Sequence, residues 1–475
     1  MNYTIQNVLI AVNDGYECVD VGIANDRIAA IAPSLPPQGT RINGEHKLLL
    51  PGFVNAHTHT SEMWQRGLLA PRPLELWILN LSNSEPLTPD QVYLSSLSMA
   101  VETLLSGGTT ILDHLVLIEG REHESIKAAA RAYQEVGIRA FIAPLIQDQP
   151  LSAGIPSSGR PITHEPYPLS VQDNLEMMQT AIAQFHSPDH GINIAVGPTG
   201  FQLCSDELFE GCIELSDRHH LRRHCHLLET KAQKLLAQEK YGHSAVEHLN
   251  KLGYLGARTS LAHCVWLEDD EIQIIAETGS TVVHNPLSNL RLGSGIAPIL
   301  KCRQAGVNVA FGCDGPASND GQDLLETIKI GALLHSTTDL DYRNWITPRE
   351  AVDMASMGGV KGLDLADELG SVTVGKRADL VLYDLTTLSL LPRTDPIGLL
   401  VLGRPTQAVH SVWVNGRRIV ADGNVVTVDV AGLRRQLFDQ SQWRKPIPES
   451  PAIQSLENHY RAAMGLSPSK TNLEQ

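Results

Sequence analysis

The chain is poor in several features whose absence narrows the field. Cysteine is scarce, seven residues in 475 with no CxxC pair, which argues against a disulfide framework and points to a reducing compartment. No stretch approaches the roughly 20 apolar residues that a membrane span requires. The first fifteen residues lack a basic segment, and the apolar run Val8 to Val12 is too short for a secretory signal, so the cytoplasm is the expected location. Basic residues are outnumbered, 37 against 53, for a net charge of −16. That balance argues against nucleic acid or an anionic membrane as a partner and favours a small neutral or cationic ligand. Neither an internal repeat nor a low-complexity tract is visible, and no GxGxxG follows an early strand-like run, which disfavours a dinucleotide-binding open sheet.

What is present is alternation. Residues 51–366 interleave short β-branched runs (Thr109 to Leu112, Ile192 to Val196, Ser280 to Val283, Val307 to Phe311) with helical patterns such as Asp90 to Leu105. Parallel strands with crossover helices follow, and the length suits a (β/α)₈ TIM-like barrel with insertions. The flanks read differently. Residues 1–50 carry short strands with turns at Asp14-Gly15 and Asn25-Asp26; residues 367–427 carry a strand at Ala378 to Tyr383 and a hairpin around Asn415-Gly416. The two flanks are expected to form one small β-sandwich domain. Residues 428–475 are expected to be a helical tail, interrupted by Pro446, Pro448 and Pro451.

The chemistry concentrates at predicted strand ends. In Pro51-Gly52-Phe53-Val54-Asn55-Ala56-His57-Thr58-His59, the two histidines close an apolar strand and share a face, as two imidazoles must to reach one metal. Further titratable groups end later strands: His224-Cys225-His226 with Glu229, then His263, His284 and Asp314. The C-terminal ends of barrel strands are where active sites lie. Imidazoles and carboxylates buried together are costly unless partnered, and a shared metal with its water would partner them.

In combination, PGFVNAHTH, HLLE, AHCV, HNPLSNLRLGSGIAP and CDGPASND resemble the amidohydrolase superfamily, in particular its aminohydrolase and triazine-hydrolase branch, over roughly residues 1–425. The resemblance implies His57, His59, His226 and Asp314 as ligands of one divalent metal, Zn²⁺ or alternatively Fe²⁺. It implies Glu229 as the acid/base that protonates the ring, His263 as a ligand or substrate contact, His284 as the group orienting hydroxide, and Asp314 as proton acceptor. His224 would support His226. No lysine stands near Val196 to Phe201 to bridge a second metal, so one ion is expected.

The implied activity is hydrolytic deamination of a nitrogen heterocycle: a purine, pterin, pyrimidine or triazine. The alternatives are expulsion of chloride or an alkylamine from a triazine-like ring, deamination of methylthioadenosine or adenosylhomocysteine, and a non-catalytic binder on a decayed scaffold. The complete ligand set argues against decay. Pro198-Thr199 stands where nucleoside-acting relatives carry histidine, which favours a free base. Cys313, where relatives have threonine, reads as packing. Candidate substrate contacts are Trp64 for stacking, Gln65 and Arg66 beside Glu62 in the first loop, His114 at the next strand end, and His263. Asn285, Ser288 and Asn289 would brace the loop after His284. The expected partners are the heterocycle and further copies of the chain in a homo-oligomer, with no nucleic acid and no membrane.

Overall fold

A computed structural model describes residues 2–13, 15–441 and 445–467. Eight strand positions run parallel around a barrel: β6 (Phe53–Thr58), β7 (Gly108–Leu115), β8 (Arg139–Ile146), β9 (Ile192–Ile194) continued by β10 (Gly197–Pro198), β11 (Arg223–Leu227), β12 (Thr259–His263), β13 (Thr281–His284) and β14 (Asn308–Phe311). The seam between β10 and β11 is carried by the Val196–Arg223 bridge and by the His226 amide donating to the Thr199 carbonyl at 3.0 Å. The ring closes where the Asp314 amide donates to the His57 carbonyl at 2.9 Å. Small and branched side chains fill the barrel, among them Val54, Ala56, Leu112, Ala143, Val283 and Ala310. Such a filled interior leaves only the strand ends for chemistry.

Helices separate the strands, and local signals start them. The helix Pro89–Leu105 opens with a capping box, Thr88 and Gln91 exchanging side-chain and backbone bonds, with Pro89 at its first position. Its start agrees with the periodicity from Asp90.

Both chain ends build one nine-stranded sheet. The first five strands are β1 (Asn2–Val12), β2 (Gly15–Ala24), β3 (Arg27–Ala32), β4 (Thr40–Asn43) and β5 (Lys47–Pro51). The last four are β15 (Leu380–Asp384), β16 (Val409–Val414), β17 (Arg417–Ala421) and β18 (Asn424–Val425). The order is β18-β17-β16-β15-β5-β1-β2-β3, with β4 also on β1, so the join between the two chain ends is β5 against β15. The sandwich is thus one hydrogen-bonded sheet curled over a core of Ile5, Val21, Leu49, Leu380 and Trp413. Tyr3 and Trp413 meet edge-on at 6.0 Å across that curl. Asp14 of the first expected turn lies outside the described residues; Val12 and Gly15 on either side of it pair. The other two expected turns abut: Gly416, with φ of +70°, sits where a Cβ would lie 1.9 Å from the Asn25 carbonyl oxygen. Only glycine fits so close an approach in that conformation.

Past the sheet, helices run over Val430–Ser441 and Pro451–Ala463; Pro451 begins the second helix and does not interrupt one. No helix among the described residues is long and apolar enough to cross a membrane.

Candidate metal and active site

The strand ends bring His57, His59, His226 and Asp314 together in the barrel mouth, all buried. His59 and His226 each have Nδ1 turned to a backbone carbonyl, His114 O at 2.6 Å and Thr199 O at 2.7 Å, so each Nδ1 carries the proton. Their Nε2 lone pairs then face each other at 3.1 Å, with no proton left to share. His57 follows the same logic. Its Nδ1 donates to His224 Nε2 at 2.8 Å, and His224 Nδ1 donates to Ser260 Oγ at 2.7 Å. His57 Nε2 is left buried without a hydrogen-bond partner, 3.3 Å from Asp314 Oδ1. Three convergent lone pairs and one carboxylate are a poor arrangement for protons and a good one for a divalent cation. His224 therefore braces His57, not His226.

The charge states suit such a set. Burial drives His57 well below its ordinary pKa, and burial with the neighbouring imidazoles lowers His226 to about 3, so both are neutral. Asp314 is opposed by burial, yet the imidazole of His57 against it, with His263 and His59 close by, holds it well below the usual range, on the side of the carboxylate. Glu229 goes the other way: burial first, then the charges of Asp314 and Glu75, push it well above 4.5, against a bond from Ser294 Oγ at 3.3 Å. His263 stands between the two carboxyls, Nε2 at 3.6 Å from Glu229 Oε2 and 3.7 Å from Asp314 Oδ2, with Nδ1 held by Asn289 Oδ1 at 2.9 Å. Leu228, His263 and Asp314 all have positive φ at the ends of β11, β12 and β14, costly for such residues and concentrated where the side chains must be aimed.

A cavity of about 470 Å³ opens above these groups. Gln65 lines it, as do His59, Glu62, His226, Glu229, His263 and Asp314. Four sequence candidates are elsewhere. Trp64 lies within a 3₁₀ turn, Thr60–Gln65, that points its indole into the core, where Nε1 donates to the Gln91 carbonyl at 2.9 Å. Arg66 forms a two-pronged pair with Glu102 at 3.0 Å. His114 joins the histidine cluster, not the cavity wall: its ring stacks on His226 at 4.9 Å and Nε2 donates to the Gly197 carbonyl at 2.9 Å. His284, expected to orient the hydroxide, is fully buried and does not line the cavity. It meets His335, Nε2 to Nε2 at 3.0 Å. Of the residues expected to brace the loop after His284, Asn289 and Asn285 reach His263 Nδ1 at 2.9 and 3.4 Å while Ser288 Oγ is buried without a partner, and Cys313 packs against Thr327.

Sequence reasoning missed Glu75 and Trp77, which line the cavity from helix α1 (Leu74–Leu81) in the first loop. Glu75 accepts from Thr230 Oγ1 with one oxygen and leaves the other buried without a partner; Trp77 Nε1 is equally orphaned. An apolar helix carrying a buried-type acid next to the metal motif was the available signal.

The family model described as amidohydrolase family matches residues 48–419. The 5-methylthioadenosine/S-adenosylhomocysteine deaminase of Caldanaerobacter subterraneus subsp. tengcongensis is 32% identical over 451 residues, 93% of this chain and 98% of that protein. The zinc-bound adenosine deaminase of Xanthomonas campestris superposes with a TM-score of 0.82 at 26% identity, covering 93% of this chain and 98% of that one. The atrazine chlorohydrolase of Arthrobacter aurescens TC1, complexed with zinc, gives 0.84 at 26% identity, covering 92% and 100%.

Proposed function

This chain belongs to the amidohydrolase family, and from that premise we propose that it is a metal-dependent aminohydrolase that releases ammonia from a nitrogen heterocycle. The observation that carries the reading is the pair of buried carboxyls that His263 Nε2 faces, Glu229 at 3.6 Å and Asp314 at 3.7 Å, in surroundings that raise the pKa of the first and lower that of the second. Titratable pairs pushed apart by their surroundings mark an acid and a base. His57, His59, His226 and Asp314 would hold the ion, with zinc favoured by the imidazole-rich set and by the zinc in the two solved relatives. A bound divalent cation supplies an acidified water, its pKa brought from about 15.7 toward about 7.

The chain's own groups do the rest. Asp314 accepts a proton as water adds to the amine-bearing carbon. Glu229 donates its proton to the adjacent ring nitrogen. His263, its Nε2 facing both carboxyls, accepts a hydrogen bond from the water or the added hydroxyl. The proton taken up by Asp314 then passes to the amine, which leaves as ammonia, and the added hydroxyl returns a proton to Glu229 as it becomes the product carbonyl. Ammonia release over chloride expulsion is supported by the deaminase-named relative, which matches 93% of this chain. The preference for a free base finds no further support: the curated relative is named for nucleoside substrates, and the cavity has room beyond a bare ring.

The reading is tested by ammonia release from a panel of guanine, cytosine, pterin, methylthioadenosine, adenosylhomocysteine and aminotriazines, with metal content measured on the same preparation. About one activity-linked divalent ion per chain is expected, and His57→Ala should lose most of it. Two equivalents, or turnover of simple amides with silence across the panel, would sink the proposal.

A further inference from the structure

The cavity wall is acidic from floor to mouth. Glu62, Glu75, Glu229 and Asp314 lie at its depth, and Glu85, Glu119 and Glu122 stand around its opening. Among the described residues no lysine or arginine lines it. The arginines of the surrounding loops are engaged elsewhere: Arg66 on Glu102, Arg72 on Glu449, Arg121 on Glu124 and Arg291 on Asp320. Much of the remaining lining is apolar, Trp77, Ile78, Leu81, Leu117, Leu151 and Leu203 among it. Gln65, Glu75 and Gln202 each direct a buried side-chain oxygen without a partner.

From this wall we propose that the site selects aminated heterocycles whose substituent is uncharged or cationic and rejects those carrying a carboxylate or phosphate. The inference rests on the aminohydrolase reading and narrows its substrate class. An anion entering the cavity must shed water, and no cationic side chain on the wall compensates its charge. Neutral carboxyls offer it little, and ionised ones repel it. The acidic mouth lowers the local concentration of anions before they arrive and raises that of cations. The apolar lining accommodates an alkyl or alkylthio arm, while the unpartnered amide oxygens of Gln65 and Gln202 accept from amino or hydroxyl groups of the ligand. Methylthioadenosine fits this description; adenosylhomocysteine, with its carboxylate, does not.

The test is a matched pair of 5′-alkylthioadenosines, one arm ending in a carboxylate and the other in the carboxamide, read by kcat/KM and by calorimetric binding. The same pair on an alkylaminotriazine separates arm from ring. The amide should be favoured at least about 30-fold, and Glu119→Arg at the exposed mouth should narrow the ratio about fivefold by raising the acid. Equal kcat/KM or equal binding of acid and amide, or a ratio that Glu119→Arg leaves unmoved, overturns the inference. Tighter binding of the amide without turnover of any ring upholds the charge selection and refutes the aminohydrolase reading.

Discussion

At the scale of the residue, proton placement decides more than proximity. Glu229→Gln keeps size and hydrogen-bonding shape but cannot carry a proton, and positioned acid/base groups contribute about 10²–10⁴-fold. Turnover should fall by that factor with metal content and melting temperature unchanged; near-normal turnover in a metal-replete variant would send the proton by another route. Glu75 gives a second test. Burial raises its pKa above 4.5, against the bond from Thr230, so the folded chain holds this proton more tightly than the unfolded chain does. Stability from this group is full below pH 4.5 and is lost as pH rises through the folded value. Glu75→Gln should therefore melt higher than the wild type at pH 8, with the gap closing near pH 4. A gap independent of pH would mean that Glu75 is ionised in the fold. Trp64 and Trp77 show what a linear reading misses at this scale. Both stand near the His-Thr-His motif, but a 3₁₀ turn rotates the first into the core while α1 carries the second over the cavity.

At the scale of the element, α1 is held from behind. Its outer side chains Leu76 and Leu79 pack with Ile453 and Leu456 of the C-terminal helix, while Trp77, Ile78 and Leu81 of the same helix face the cavity. The approach to that helix is tied down as well: Arg72 pairs with Glu449, the Ser450 amide donates to Asn80 Oδ1 at 2.9 Å, and Asn83 donates to the Pro448 carbonyl at 3.1 Å. Burying each such aliphatic side chain stabilises by about 1.5–3 kcal/mol. A chain ended at Ser441 should keep the barrel and its metal but free α1. The expectation is a rise in KM of about tenfold or more with a smaller change in kcat, and new proteolytic cleavage between residues 68 and 88. Unchanged KM with α1 still protected would mean that the helix holds itself. The tail was legible as helical from its composition. Its contact with the substrate-facing loop was not, because some 370 residues separate the two segments.

At the scale of the whole molecule, the curled sheet is keyed to the barrel through one buried ion pair. Arg139, at the start of β8, meets Asp379 just before β15 at 3.1 Å, and the same carboxylate accepts from the Asn415 amide at 2.8 Å. Both side chains are almost fully buried. Removing one member of such a pair leaves the other uncompensated, at a cost of about 3–5 kcal/mol. Asp379→Ala should unfold at clearly lower denaturant, whereas removing the exposed Lys301–Asp269 pair should shift the midpoint little. Equal shifts for the two would remove Arg139 as a key.

The sequence by itself determined the alternation of strands and crossovers, the hairpin turns at both ends, and the residues that converge at the strand ends. Strand periodicity and turn chemistry are local, and a barrel maps strand ends to one mouth whatever the loops do. Tertiary structure alone decided that His224 braces His57, that Arg66 turns to Glu102, and that α1 lends Glu75 and Trp77 to the cavity. Those outcomes depend on which distant surface each loop side chain meets. Long-range packing sets those meetings, and no spacing along the chain encodes them.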